Sequence, residues 1–302
     1  MALIEAPAPN PTAQPARYGE VFDRGYKHYD GARLGRGAAA WALVRYSAKR
    51  SLGIKKSWTA KIIPILLYVA VAFPVILVVG ITSFAPNAEV WDYVDFFIFT
   101  FIIEGLFVAT IAPEMLCGDR RENVLPLYFS RAITRLDYLL AKLVATALLT
   151  LTISFIPAFL LWLFLQLLAD APLSAIGDNL DDLGRVAVAG GLIALYLGAV
   201  GLMISSFTGR KSVAVAVIVV AFVIMEALAG ALLEAVERGN DLRDYLVFLS
   251  PSQTTAGLVA ELWADTDFEL PSDLPLWNYV AVMVAVVVVA CLVMLWRYVP
   301  DE

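Results

Sequence analysis

The chain has 302 residues, of which 60% are hydrophobic and only 17% charged, with a net charge of −6 and a mean hydropathy of +0.76. That leaves too little polar sequence to cover a soluble fold of this size, so the composition excludes an ordinary soluble domain. With one histidine, His28, and two cysteines, it also excludes paired-histidine zinc sites, Ser-His catalytic sets, haem or iron–sulfur ligation and disulfide scaffolds.

Residues 1–16 (MALIEAPAPNPTAQPA) are rich in Ala and Pro and read as disordered. Residues 17–37 are polar, aromatic and glycine-rich, so 1–37 as a whole form a disordered or extended N-terminal segment that includes His28. No cleavable signal peptide is expected, because the first 60 residues hold no apolar core of the right length. Residues 38–58 mix apolar Trp41, Leu43, Val44, Leu52, Ile54 and Trp58 with basic Arg45, Lys49, Arg50, Lys55 and Lys56. This pattern predicts an amphipathic helix in a headgroup layer, with a bend at Gly53.

The remainder, 59–302, reads as a six-helix transmembrane domain. Four apolar runs carry no charge: Ile62–Ala88, Leu143–Ala169, Val186–Gly209 and Leu274–Trp296. Two more are interrupted by one acid each, Phe96–Pro113 by Glu104 and Ser212–Leu233 by Glu226. A helix rises about 1.5 Å per residue, so about 20 residues cross a ~30 Å hydrocarbon layer. The expected spans are 62–83, 95–117, 140–168, 185–207, 212–236 and 276–297. Pro64, Pro74, Pro113 and Pro157 fall within them, which neighbouring helices must cover. The fourth span carries Gly190, Gly191, Ala194, Gly198, Gly201 and Ser205; the fifth carries Ala214, Ala216, Ala221, Ala227 and Gly230. Such small-residue faces serve either internal packing or a dimer seam. Before the sixth span, Leu242–Trp263 is too short and broken at Ser250-Pro251 to cross, and reads as two short outer helices. The fold class is therefore all-α and integral to the membrane.

Charge gives the orientation. Of 22 Lys and Arg residues, eleven precede or include Lys61, five lie at 118–142, and Arg210, Lys211 and Arg297 follow the fourth and sixth spans; only Arg185, Arg238 and Arg243 lie on the other side. The positive-inside rule puts both termini in the cytoplasm of a multi-pass protein of the cell (inner or plasma) membrane. Cys117 and Cys291 then lie near reducing solvent and stay unpaired. Glu104 and Glu226 are costly within a bilayer. They either line a translocation path or hydrogen-bond to Thr, Ser or Tyr on a neighbouring helix. No buried Lys or Arg is expected to pair with either, and no acidic pair lies within a span. With no GxxxxGK[ST] phosphate loop and no catalytic set, a transport subunit is the expected class, against a non-transporting scaffold or an ion-coupled carrier using Glu104 and Glu226.

Between the second and third spans the chain reads APEMLCGDRRENVLPLYFSRAITRLDYLLAKL, Ala112 to Leu143. Gly118, Asp119, Arg120, Arg121 and Glu122 form a charged cluster. Leu125-Pro126-Leu127-Tyr128-Phe129 follows as a short apolar piece, then Ser130-Arg131-Ala132-Ile133-Thr134-Arg135, then Ala141-Lys142. This stretch resembles the loop between spans two and three of ABC-2 type permeases, the membrane subunits of ABC exporters. Asn123-Val124 and Ala132 depart from the residues often found there. The resemblance implies a cytoplasmic coupling helix at Leu125–Phe129 and docking of ATP-binding subunits on the 119–138 loop through Asp119, Arg120, Arg121, Glu122, Leu125, Pro126, Leu127, Tyr128, Phe129, Ser130, Arg131 and Arg135. It further implies two ATP-binding subunits that carry ATP and magnesium, a second permease copy (a homodimer before a heterodimer), no cofactor or metal on this chain, and no nucleic-acid partner. The apolar spans suit export of a hydrophobic or amphipathic small molecule or lipid.

Overall fold

A computed structural model describes residues 35–54, 58–85, 91–129, 133–236, 241–264, 272 and 274–298. The expectations for residues 1–34, for 55–57 and for Ser130, Arg131 and Ala132 fall outside the described residues. The chain divides after Leu34, and every described residue belongs to the second unit.

Among the described residues all regular structure is helical. The elements are α1 (Arg36–Ser51), α2 (Thr59–Phe84), α3 (Tyr93–Arg121), α4 (Leu125–Phe129), α5 (Arg135–Leu168), α6 (Pro172–Asp178), α7 (Leu180–Ser206), α8 (Lys211–Ala235), α9 (Asp241–Leu246), a 3-10 turn (Val247–Leu249), α10 (Pro251–Trp263) and α11 (Leu276–Tyr298). Six of them, α2, α3, α5, α7, α8 and α11, are long and apolar enough to cross a bilayer. All six expected spans are present, and three of them, α3, α5 and α7, are extended by a turn or more at one end.

Two ends are set by local chemistry that the periodicity underdetermines. α1 stops at Ser51, short of the expected 58, because Gly53 takes a left-handed φ of 69°. The Gly53 amide donates to Arg50 O and the Ile54 amide to Lys49 O, a Schellman closure. α5 begins at Arg135, five residues ahead of the expected start. Thr134 and Asp137 form a reciprocal capping box that satisfies the first free amides. The α6 turn between the third and fourth spans was not expected.

The core is α3, α5 and α7. The span helices α2, α8 and α11 pack around them and leave broad apolar faces exposed. The α7 small-residue face is internal: Gly190 lies on Phe155 and Ser154, Gly198 on Thr146 and Ala147, and Gly201 on Val108 and Ala112. On α8, by contrast, Ala216, Ala227 and Gly230 stay exposed. α1 buries Leu43, Val44, Ser47 and Ser51, one helical stripe, against α3 and α5. Arg50, Arg120, Lys142, Lys211 and Arg297 share one end of the bundle, the basic end; α6, α9 and α10 lie at the opposite, acidic end.

At the acidic end α10 seats on α11. A Cβ on Gly257 would stand 2.2 Å from the ring of the fully buried Tyr279. Gly257→Ala should therefore cost about 1–3 kcal/mol through overpacking, seen as a lower melting temperature of the purified chain in detergent. Unchanged melting would mean that α10 does not rest on that ring.

Candidate functional site

The site is built where α3 ends. Asn123 takes a left-handed φ of 52°, a conformation that Asn tolerates better than most residues. Its amide donates to Arg120 O, and the Val124 amide to Asp119 O, so α3 closes as α1 does. The chain thus turns directly into α4, whose five residues coincide with the expected coupling helix.

One carboxylate organises the basic end. Asp119 is fully buried. Its Oδ1 accepts from Arg50 Nη1 at 2.9 Å, and its Oδ2 from Lys142 Nζ at 2.7 Å and the Tyr138 hydroxyl at 3.0 Å. Lys142, 1% exposed, also donates to Ser47 Oγ on α1 at 2.9 Å. Arg50 reaches Glu122 at 3.0 Å and Glu114 at 3.6 Å. Burial disfavours the Arg50 guanidinium's charge, yet Asp119, Glu122 and Glu114 outweigh it and hold Arg50 above its ordinary value. Gly118 leaves room for this guanidinium: a Cβ would fall 2.2 Å from Arg50 Nη2 and push it aside. Lys211, at the start of α8, pairs with Glu114 at 2.8 Å. Arg36 binds Asp137 through Nε at 2.6 Å and Nη2 at 2.8 Å, and Thr134 Oγ1 at 2.9 Å, which ties the first turn of α1 to the cap of α5. α1, α3, α5 and α8 are thereby joined through charge-assisted bonds.

The sequence-derived docking residues separate into two groups. Leu127 is 66% exposed, and Pro126 and Arg121 are exposed beside it. Tyr128 and Phe129 turn inward, their rings 5.8 and 5.9 Å from that of Tyr138, and Arg135 lies over Phe129. Burial of Tyr128, with Asp119 nearby, pushes its hydroxyl's pKa up. Leu125 is half-buried. Arg120 donates to Ser206 O at the end of α7 and lies over Tyr298. Asp119 and Glu122 belong to the internal network. α4 is thus a small apolar knob bonded firmly to the spans. The residues that do the bonding (Arg36, Ser47, Glu114, Tyr138, Lys142 and Lys211) were not singled out as a site from sequence. One signal was available: the Thr134-x-x-Asp137 spacing is a capping box.

The family model described as ABC-2 family transporter protein matches residues 48–301, which span all six transmembrane helices and the α4 loop. The chain belongs to the ABC-2 transporter family. No curated protein matches it. A family member of this kind is the membrane subunit and not the ATPase, and it partners an ABC ATP-binding subunit.

In this permease the two intramembrane acids have different surroundings. Glu226 on α8 is an acceptor for the start of α10. Ser250 Oγ donates to it at 2.5 Å, Ser252 Oγ at 2.7 Å and the Ser252 amide at 2.8 Å. It also borders a groove of about 570 Å³ between α3 and α8, whose other walls are Phe101, Ile102, Gly105, Leu106, Val219, Phe222, Val223 and Ala227. Glu104, 1% exposed, faces α5 beside Thr100 and Ser154. Among the described residues its Oε2 has no hydrogen-bond partner, and neither does Ser154 Oγ. The structure does not bring Glu104 and Glu226 into one cavity. The buried lysine of this permease belongs to Asp119, not to either glutamate.

Proposed function

We propose that this permease exports an apolar or amphipathic small molecule or lipid. Two ATP-binding subunits drive it, docking at the basic end on the 119–138 loop. The basic end faces the cytoplasm, both termini lie there, and the protein sits in the inner or plasma membrane. The ATPases carry ATP and magnesium; the permease carries no cofactor. A second copy of the chain completes the transporter, and the exposed small residues Ala216, Ala227 and Gly230 of α8 suit its seam.

The observation that carries this reading is the placing of Leu127. It projects outward from a five-residue helix, while the two residues after it pack on Tyr138 of α5 and the residues before it close α3. A push on Leu127 is delivered to α3 and α5 together, and through Asp119, Lys142 and Arg50 to α1. Rigid packing of that kind transmits a displacement rather than absorbing it. The apolar groove between α3 and α8 supports the substrate class, since its volume lies within the ~300–1,000 Å³ of small-molecule sites.

The test is Leu127→Asp in the permease reconstituted with its ATPase. Burying an unpaired carboxylate in an apolar contact should lower substrate-stimulated ATP hydrolysis and transport by at least about tenfold, with melting of the isolated permease unchanged. Full coupling in that variant would remove α4 as the docking point.

A further inference from the structure

The basic end holds a second feature that docking on Leu127 does not use. A cavity of about 500 Å³ opens between the end of α3, α4, the start of α5 and the end of α11. Among the described residues its walls include three arginines, Arg120, Arg135 and Arg297, and no acid. Among the described residues no carboxylate pairs with Arg135 or Arg297. Tyr298 also lines the cavity. It is 8% exposed, and its hydroxyl is buried without a hydrogen-bond partner. The guanidinium groups of Arg135 and Arg297, with the charge of Arg120 beside them, describe a receptor for an anion, and arginine forks match phosphate oxygens in particular.

An adjoining slot says what the anion is attached to. One turn deeper along the same two helices lies a narrow apolar crevice, walled by Leu136, Leu139, Leu140 and Leu143 of α5 and Cys291, Met294 and Leu295 of α11. The seven helical rises from Leu136 to Leu143 span about 10 Å of membrane depth at about 1.5 Å each. Trp296, 72% exposed beside Arg297, is of the type that sits at a membrane–water boundary. Headgroup-level arginines above an apolar crevice of about 40 Å³, enough for a short stretch of an acyl chain, fit a phospholipid, and a free phosphate compound would leave the crevice unused.

We propose that this cavity and slot bind one anionic phospholipid of the leaflet at the basic end, its phosphate held by Arg135 and Arg297 and the first part of one acyl chain laid between α5 and α11. Leu125, Pro126 and Phe129 of α4 form part of the same wall, so the bound lipid staples the α4 helix to the last span. The site depends only on the permease, and stands or falls independently of what docks on Leu127.

The experiment is direct binding to the delipidated full-length chain in detergent, using phosphatidylglycerol, phosphatidylcholine of identical acyl chains, and inorganic phosphate. Phosphatidylglycerol should bind at least about tenfold more tightly than phosphatidylcholine. Arg297→Gln should remove about tenfold of that preference, and Arg297→Lys, which keeps the charge but not the fork, should restore part of it. Leu140→Trp, a change at a half-exposed slot residue, should weaken lipid binding with every arginine in place. Equal binding of the two lipids overturns the proposal. So does inorganic phosphate binding as tightly as phosphatidylglycerol with no effect of Leu140→Trp, which would make this a free-phosphate site. Arg297→Gln and Leu140→Trp that melt like the parent yet bind phosphatidylglycerol unchanged overturn it as well.

Discussion

Replacing Asp119 by Leu is expected to destabilise the chain by about 3–5 kcal/mol, because it strands the Lys142 ammonium in a site that is 1% exposed. Lys142→Met alone should cost less than Asp119→Leu, since Arg50 and the Tyr138 hydroxyl still bond Asp119. The informative variant is the double one. With Asp119→Leu and Lys142→Met together the buried charges leave as a pair, and Arg50 keeps Glu122 and Glu114. The double variant should therefore be more stable than Asp119→Leu by about 1–3 kcal/mol, and the coupling energy is that gain plus the cost of Lys142→Met alone. Melting of the purified chain in detergent gives all three values. Simple additivity would mean that the 2.7 Å pair is not an energetic unit. If the pair is one, the double variant also asks whether function needs it. A stable permease that no longer couples would show that α1, α3 and α5 must move as one body.

The Glu226→Ala variant is expected to loosen α10 by about 3 kcal/mol. Three donors converge on this carboxylate: two hydroxyls and the Ser252 amide in the first turn of α10. Hydrogen bonds to a charged acceptor contribute about 1.5–3 kcal/mol each, and a carboxylate also complements the positive end of the helix. Loss of all three leaves Ser250 still able to cap its own Gln253 amide, so the helix persists but detaches from α8. The readout is hydrogen exchange, which should become about 100-fold faster across α10 while α3, α5 and α7 keep their protection. Unchanged protection would remove Glu226 as the anchor and return it to the substrate path. That alternative has a physical basis, because the same residue borders the α3–α8 groove.

Much of the basic end was legible in the residues, though not as the arrangement it makes. The resemblance to the ABC-2 loop marked the residues Leu125–Phe129 as a short helix. Which of them faces out was not recognisable. Five residues make little more than one turn, and their orientation depends on Asn123 adopting a left-handed φ and on Tyr138 offering a ring to Tyr128 and Phe129. Lys142 was visible as a cation at the head of a span. Its role was hidden because its partners lie 23 residues away at Asp119 and 95 away at Ser47. The same limit explains the acids. Glu104 and Glu226 look alike in sequence, each a single carboxylate in an apolar run. Only packing distinguishes a residue enclosed between α3 and α5 from one that caps a helix 24 residues on.

By itself the sequence determined the membrane class, six crossings and the separation of a basic from an acidic end. Those properties follow from one-dimensional quantities, the length of apolar runs and the sign of charge between them. The tertiary structure alone decided which faces are internal. It turned the glycine face of α7 inward against α3 and α5 and left Ala216, Ala227 and Gly230 of α8 outward. It gathered Arg50, Asp119 and Lys142 into one bonded unit and opened an arginine-lined cavity beside it. In lipid, apolar side chains gain nothing from choosing one apolar neighbour over another, so hydropathy carries no information about partners. Close packing, hydrogen bonds and buried charge make that choice.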